Sequence, residues 1–292
     1  MGLILLNKKT GVTSFEALRD IKRTLGTGKV GHTGTLDKFA QGLLLVLTGR
    51  ALKLSKWFSG CDKQYIGKIH FGAETDTLDP EGTIVAQAPV LSLEQVEQVL
   101  PQFTGAIMQS PPAYSAIHIN GKRASELARS GKQVEMKKRP VTIYKLDLIS
   151  WEAPFAEIFV HCSSGTYIRS LARDIALAAG SRAHLCALTR TQIAGFSLER
   201  AENIEPKVRE QEFEVLPIDK AVISALSMPC FDISSLEAEK IIHGKPLAPI
   251  LDSKNLSFTP AALDFSAAVF NGENLVAIVE RNAGQWKYDC VM

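Results

Sequence analysis

The chain has 292 residues, of which 46% are hydrophobic and 22% charged, a balance that excludes wholesale disorder and predicts about two domains of ordinary size. Its 33 basic and 31 acidic side chains leave a net charge of +2, so any surface for a polyanion has to be a local patch. Five cysteines, at 61, 162, 186, 230 and 290, show no Cys-x-x-Cys spacing, which points to reduced thiols in a cytosolic setting. The apolar run near Met1 is too short for a signal peptide or a membrane span, so the chain reads as soluble and cytoplasmic.

Along the chain, Leu3–Leu6 is a short apolar run, and Lys9-Thr10-Gly11 then turns into Ser14. Ser14 is placed to cap a helix over Phe15–Leu25, with Phe15, Leu18, Ile21, Lys22 and Leu25 as its inner stripe. A glycine-rich loop follows from Gly26 to Gly42. The next run, Leu43–Leu47, suits a strand buried on both faces, Tyr65–Phe71 also reads as strand, and residues 93–100 read as helix. Residues 155–162 alternate, with Ala156, Ile158, Val160 and Cys162 on one face. Ser164-Gly165 breaks the alternation, and a helix opens near Tyr167 and ends at Gly180. A charged stretch at roughly 199–214 reads as a linker to a small tail, residues 226–292, with strand-like runs at Ala267–Phe270 and Leu275–Val279. The predicted class is α/β (α+β), a mixed sheet with a β-rich appendage.

Several motifs match by letter and fail by context. Gly26-x-Gly28-x-x-Gly31 follows a helix rather than a strand, and Gly49-Arg50-Ala51 stands where a dinucleotide site needs its acid. The Gly-Lys pairs are never followed by Ser or Thr, which excludes a Walker loop, and the histidines lack metal-ligand spacing. No cofactor and no metal are expected.

Two stretches carry chemistry. In Gly31-His32-Thr33-Gly34-Thr35-Leu36-Asp37, the aspartate is either a turn former or a catalytic carboxylate, with an imidazole in the same loop and a rigid strand behind it. In Cys162 through Leu171, Arg169 is either a surface cation or the partner of an acid elsewhere. A cation in a first helical turn opposes the helix dipole, and Asp37 is a candidate to offset it and to stay ionised in return.

His32-Thr33-Gly34-Thr35-Leu36-Asp37 with Gly42-Leu43-Leu44, Lys63-Gln64-Tyr65 and Gly165-Thr166-Tyr167-Ile168-Arg169 resembles the bacterial tRNA pseudouridine synthase B family. Thr75–Gly82, Pro111–Ala116 and Ala183–Thr191 support the resemblance, which runs in order over about residues 3–220. It implies a catalytic domain over 1–220 and a PUA-like domain over 226–292 that opens near Ile241–Leu247. The implied reaction isomerises the T-loop uridine at position 55 of tRNA, with no cofactor. Under it, Asp37 is the catalytic carboxylate, Tyr65 stacks on the target base, and His32 lies against the T loop. Tyr167 and Arg169 stand beside the carboxylate, and Leu188 walls the uracil pocket. The implied partner is the tRNA T stem-loop, with a monomeric enzyme, no obligate protein partner and no membrane. Such chemistry needs a flipped-out nucleotide and an aromatic to hold it, although Tyr65 on a strand also fits a packed core.

Residues 112–139 carry a local excess of +5, including Lys122, Arg123, Lys137, Lys138 and Arg139. The run is either a solvated face or a thumb that grips RNA phosphates, the role the resemblance implies. The tail is net −3, a poor general phosphate grip. Two departures from the family pattern concern loop stiffness: Asn7-Lys8-Lys9 for Asp-Lys-Pro, and Lys38 where proline usually follows the aspartate. The rival readings are a non-catalytic RNA-binding or RNA-refolding protein of this fold, a synthase for another RNA, and a metal-dependent nuclease built on His32 and Asp37.

Overall fold

The computed structural model describes residues 1–119, 121–130, 135–203, 213–257 and 264–292. The amino-terminal half contains β1 (Gly2–Lys8), α1 (Ser14–Thr24), β2 (Val30–His32), β3 (Gln41–Thr48), α2 (Ser55–Ser59), β4 (Lys63–Phe71), β5 (Ala73–Thr75), β6 (Ile84–Gln87), α3 (Leu93–Val99) and β7 (Gly105–Gln109). A hairpin of β8 (His118–Ile119) and β9 (Lys122–Arg123) leads into α4 (Ala124–Arg129). Then come β10 (Arg139–Glu152), β11 (Phe155–Cys162), α5 (Ile168–Ala178), β12 (Ala183–Ile193), β13 (Phe196–Ser197), β14 (Glu202–Asn203) and α6 (Lys220–Ala225). The chain closes with β15 (Cys230–Asp232), α7 (Ser235–Ile242), α8 (Ala248–Leu251), β16 (Phe265–Asn271), β17 (Asn274–Asn282) and β18 (Gln285–Val291).

Ten of these strands form one mixed sheet in the order β14-β1-β3-β12-β4-β11-β10-β7, with β2 added on β3 and β13 on β12. β11 and β12 both run antiparallel to β4, one on each side, so the α5 crossover joins two parallel strands. This is the predicted strand, turn and helix around Gly165. The alternation of β11 buries Ala156, Ile158, Val160 and Cys162, as the period of two requires. Those residues pack with Ile168, Leu171, Ala172 and Ile175 of α5 in the largest core.

Leu43–Leu47 is buried throughout because its two faces meet different layers. Leu44 and Val46, with Ile4 and Leu6 of β1, face Ala17, Leu18 and Ile21 of α1. Leu43, Leu45 and Leu47 face the opposite side, where Ile223, Phe270 and Ile278 complete one continuous apolar core with the carboxy-terminal strands. Those strands form a second sheet, β15-β16-β17-β18, which packs its other face on α7 and α8 through Phe231, Ile241, Leu251 and Val269.

Three expectations change. The cap of α1 is Thr13, in a reciprocal capping box with Glu16, and not Ser14. That shifts the buried stripe to Ser14, Ala17, Leu18 and Ile21, and turns Phe15 outward. The glycine-rich loop contains β2, which pairs with the end of β3. The charged stretch at 199–214 is tied down at both ends: Glu202 and Asn203 pair with β1, and Leu3 and Leu216 exchange backbone hydrogen bonds of 2.9 and 2.8 Å. Residues 204–212 of that stretch, like Lys132 of the basic segment, lie outside the described residues. Among the described residues no helix is long and apolar enough to cross a membrane.

Candidate active site

The loop between β2 and β3 carries Asp37, and buried cations hold both ends of it. Arg190, on β12, is 1% exposed; its Nε donates to Leu43 O at 2.7 Å and its Nη2 to Gly34 O at 3.2 Å. Lys8, at the end of β1, is equally buried and donates from Nζ to Val12 O at 2.7 Å and Ala40 O at 2.6 Å. Burial lowers the Lys8 ammonium to a pKa of about 8, against the pull of Asp37 that raises it. Gly42 is required at the exit of the loop. With φ at +107°, it brings β3 so close to β12 that a Cβ would lie 2.4 Å from Arg190 O. Ser14 ties α1 to the same loop: its hydroxyl donates to Leu36 O at 3.0 Å and accepts from Leu36 N at 2.9 Å.

Arg169 emerges from the first turn of α5, 5% exposed, and meets two carboxylates. Its Nη2 donates to Asp37 Oδ1 at 3.1 Å and its Nε makes an ion-pair contact with Asp37 Oδ2 at 3.0 Å. Its Nη1 donates to Asp79 Oδ2 at 3.0 Å and to Thr77 O at 2.8 Å, and its Nη2 also donates to Tyr114 O at 3.0 Å. The pairing of Asp37 with Arg169 expected from the helix dipole is therefore present. Burial pushes the Asp37 carboxyl above the usual carboxylate range, Arg169 pulls it back, and the neighbouring Asp79 raises it again. Asp79 also shapes its own turn, accepting from Thr77 Oγ1 at 2.6 Å and Glu81 N at 3.0 Å. Gly82 is needed in that turn, because a Cβ there would sit 2.3 Å from Thr77 Oγ1.

Asp37 opens into a cavity of about 880 Å³. His32, Tyr65, Tyr167, Arg169 and Leu188 all line it with Asp37, so the structure brings the catalytic and base-pocket candidates named from the sequence to one place. Tyr65 belongs to the main core, as its packed-core reading expects, and also forms part of the cavity wall. Burial raises its hydroxyl pKa while Arg190 opposes that shift. His32 is half-buried, its Nδ1 is buried without a hydrogen-bond partner, and burial followed by the charge of Arg190 lowers its pKa. The backbone of Tyr167 is clamped by Gln109, which accepts from Tyr167 N at 2.9 Å and donates to Tyr167 O at 3.1 Å.

Of the basic segment, Arg123 and Arg129 reach the cavity wall. Lys122 stands on the β8–β9 hairpin, and Lys137 and Lys138, just before β10, and Arg139, its first residue, are exposed. Asp79, Arg190, Lys8 and Gln109 did not register as site residues in the sequence. The signal available for the first two was their place inside the Thr75–Gly82 and Ala183–Thr191 blocks. For Lys8 it was a cation closing an apolar strand.

The site is thus a carboxylate faced by a buried guanidinium, in a cavity whose wall carries Tyr65, Tyr114 and Tyr167. Residues 22–168 match the TruB family pseudouridylate synthase N-terminal domain, which sets the class of the enzyme. The chain is 38% identical over 289 residues to the tRNA pseudouridine synthase B of Francisella tularensis subsp. novicida, covering 97% of this chain and 92% of that one. It is 48% identical over 208 residues to the tRNA pseudouridine synthase B of Bordetella avium, covering 70% and 85% of the two chains. A solved structure of a Cbf5-Nop10-Gar1 complex contains a chain with the same fold, at a TM-score of 0.72 and 26% identity, over 96% of this chain and 78% of that one. The protein belongs to the TruB family of pseudouridylate synthases.

Proposed function

We propose that this enzyme converts the T-loop uridine at position 55 of tRNA to pseudouridine, with Asp37 as the catalytic carboxylate. The observation that carries the reading is the Asp37–Arg169 pair at the wall of the cavity formed by Tyr65, Tyr167 and Leu188. The tRNA substrate is supported by the names of the curated relatives.

In this reaction the bond from ribose C1′ to uracil N1 breaks, the base turns, and C1′ joins carbon 5. The hydrogen on carbon 5 leaves to solvent and N1 regains a proton. Ionised Asp37 drives the first step, by attack on the substrate or by removal of a ribose proton, and Arg169 balances its charge. Tyr65 supplies a ring face for the flipped uracil, Leu188 an apolar wall, and half-buried His32 lies against the displaced loop. Arg123 and Arg129 face the RNA backbone from the cavity side, with Lys122, Lys137, Lys138 and Arg139 further out on the basic segment. In this reading residues 1–220 form the catalytic domain and 226–292 a PUA-like domain, in a monomeric cytoplasmic enzyme whose partner is the tRNA T stem-loop.

The test is tritium release from tRNA labelled at uridine carbon 5, comparing the parent with Asp37→Asn. Release in the parent and none in the variant, with tRNA binding retained, is the expected result. Release within tenfold of the parent would remove Asp37 from the catalytic role.

A further inference from the structure

Phe15 sits where an amphipathic helix should not spend an aromatic. It is 72% exposed on α1, on the side away from the buried stripe of Ser14, Ala17, Leu18 and Ile21. Its ring nevertheless lines the same cavity as Asp37. Arg19 and Lys22 follow it at i+4 and i+7 on that helical face, and Lys22 Nζ lies over the ring, 4.9 Å from its centroid. The helix end that bears the ring is also tied to the catalytic loop. Next to it, Ser14 exchanges two hydrogen bonds with Leu36, and Gly11 N donates to Lys38 O at 2.8 Å, so this end of α1 is tied to residues on both sides of Asp37.

We propose that Phe15 is a stacking platform for an unpaired base of the RNA substrate beside the flipped-out target, with Arg19 and Lys22 facing that strand's phosphates. This rests on the reading of the protein as an RNA-modifying enzyme. The occupant is a nucleobase because the exposed ring is flanked by cations and opens onto a cavity whose wall also carries Arg123 and Arg129. An aromatic face interleaved with positive charge suits single-stranded nucleic acid, since every base offers a π-face while its phosphates take the cations.

The experiment compares Phe15→Leu and Phe15→Trp with the parent, using a tRNA T stem-loop as probe. Affinity is read in the Asp37→Asn background, so the result does not depend on the isomerase assignment. Loss of one stacked base weakens binding by about 5- to 150-fold. Phe15→Leu, which keeps apolar bulk but no π-face, should fall in that range, and Phe15→Trp should match the parent. In the active enzyme the same loss should appear in KM, with kcat unchanged. Both variants should melt with the parent, because the ring is exposed. Equal affinity for Phe15→Leu and parent overturns the proposal, as does equal weakening by Leu and Trp. A parent that binds the stem-loop but releases no tritium would instead defeat the isomerase reading and leave the stacking result standing on its own.

Discussion

Arg169→Lys keeps a positive charge where the structure uses a fork. The guanidinium reaches Asp37 through two nitrogens while also holding Asp79, Thr77 O and Tyr114 O. A lysine has one nitrogen, which can stay with Asp79 or turn to Asp37 but not span both. The pair with Asp79 is the more sheltered, its side chains being 5% and 7% exposed, so the ammonium should remain there. The Asp37 side of the other contact is 36% exposed, so that pair is partly screened by solvent and its loss costs about 0–1 kcal/mol in stability. Stranding Tyr114 O adds roughly 1–3 kcal/mol. The total of about 1–4 kcal/mol corresponds to a drop in Tm of about 2–16 °C for a body of this size. Catalysis should suffer in a distinctive way. Without the adjacent guanidinium, burial and the repulsion from Asp79 act on the Asp37 carboxyl with less opposition, so its pKa climbs further. With Asp37 acting in its ionised form, as proposed, the acid limb of the pH–rate profile should move to higher pH. Thermal melts and tritium release across a pH series measure both effects. A melt within 2 °C of the parent, or an acid limb that stays in place, would refute the reasoning.

Asp37→Asn should abolish turnover without lowering Tm at neutral pH. Folding raises this carboxyl's pKa, so its contribution to stability is complete below the unfolded value of about 3.9 and is lost as pH rises through the folded one; a lower Tm at pH 7 would contradict that direction. Lys8→Met should destabilise by about 3 kcal/mol or more, because it strands the carbonyls of Lys9, Val12 and Ala40, and a denaturant midpoint equal to the parent's would count against the anchoring role. Replacing Lys137, Lys138 and Arg139 with Ala should flatten the log-affinity versus log-salt slope for tRNA by about two units, and an unchanged slope would mean these exposed cations do not meet phosphates.

Local pattern carried most of the secondary structure. The alternation at 155–162, the closed apolar run at Leu43–Leu47 and the break at Gly165 each match an element, because burial on one face or two leaves a direct mark on residue order. The phase of α1 was misread for an equally local reason. Thr13 and Ser14 are both good caps, and Glu16 completes a capping box with Thr13 alone. One residue of phase separates a buried Phe15 from an exposed one, and the exposed position is the one that places the ring at the cavity.

The site was legible to the extent that charge logic acts at a distance. A cation in the first turn of α5 called for an acid elsewhere, and that acid lies 132 residues away in the chain. The same logic could not reveal Asp79, because one unexplained cation asks for one partner and Arg169 has two. It did not point to Arg190 or Lys8 either, since their direct hydrogen bonds go to backbone carbonyls, which leave no mark on the residue types of the sequence. Nor could it show that the carboxy-terminal strands share a core with β1 and β3, which removes their independence from the body. Ending the chain near Ala225 would strip Phe270 and Ile278 from Leu43 and Leu45 and expose apolar surface on the catalytic side. The acidic tail therefore stabilises the sheet that leads directly into the Asp37 loop, whatever contact it makes with RNA. Its removal should register first in the melting of that sheet and only then in the grip on phosphates.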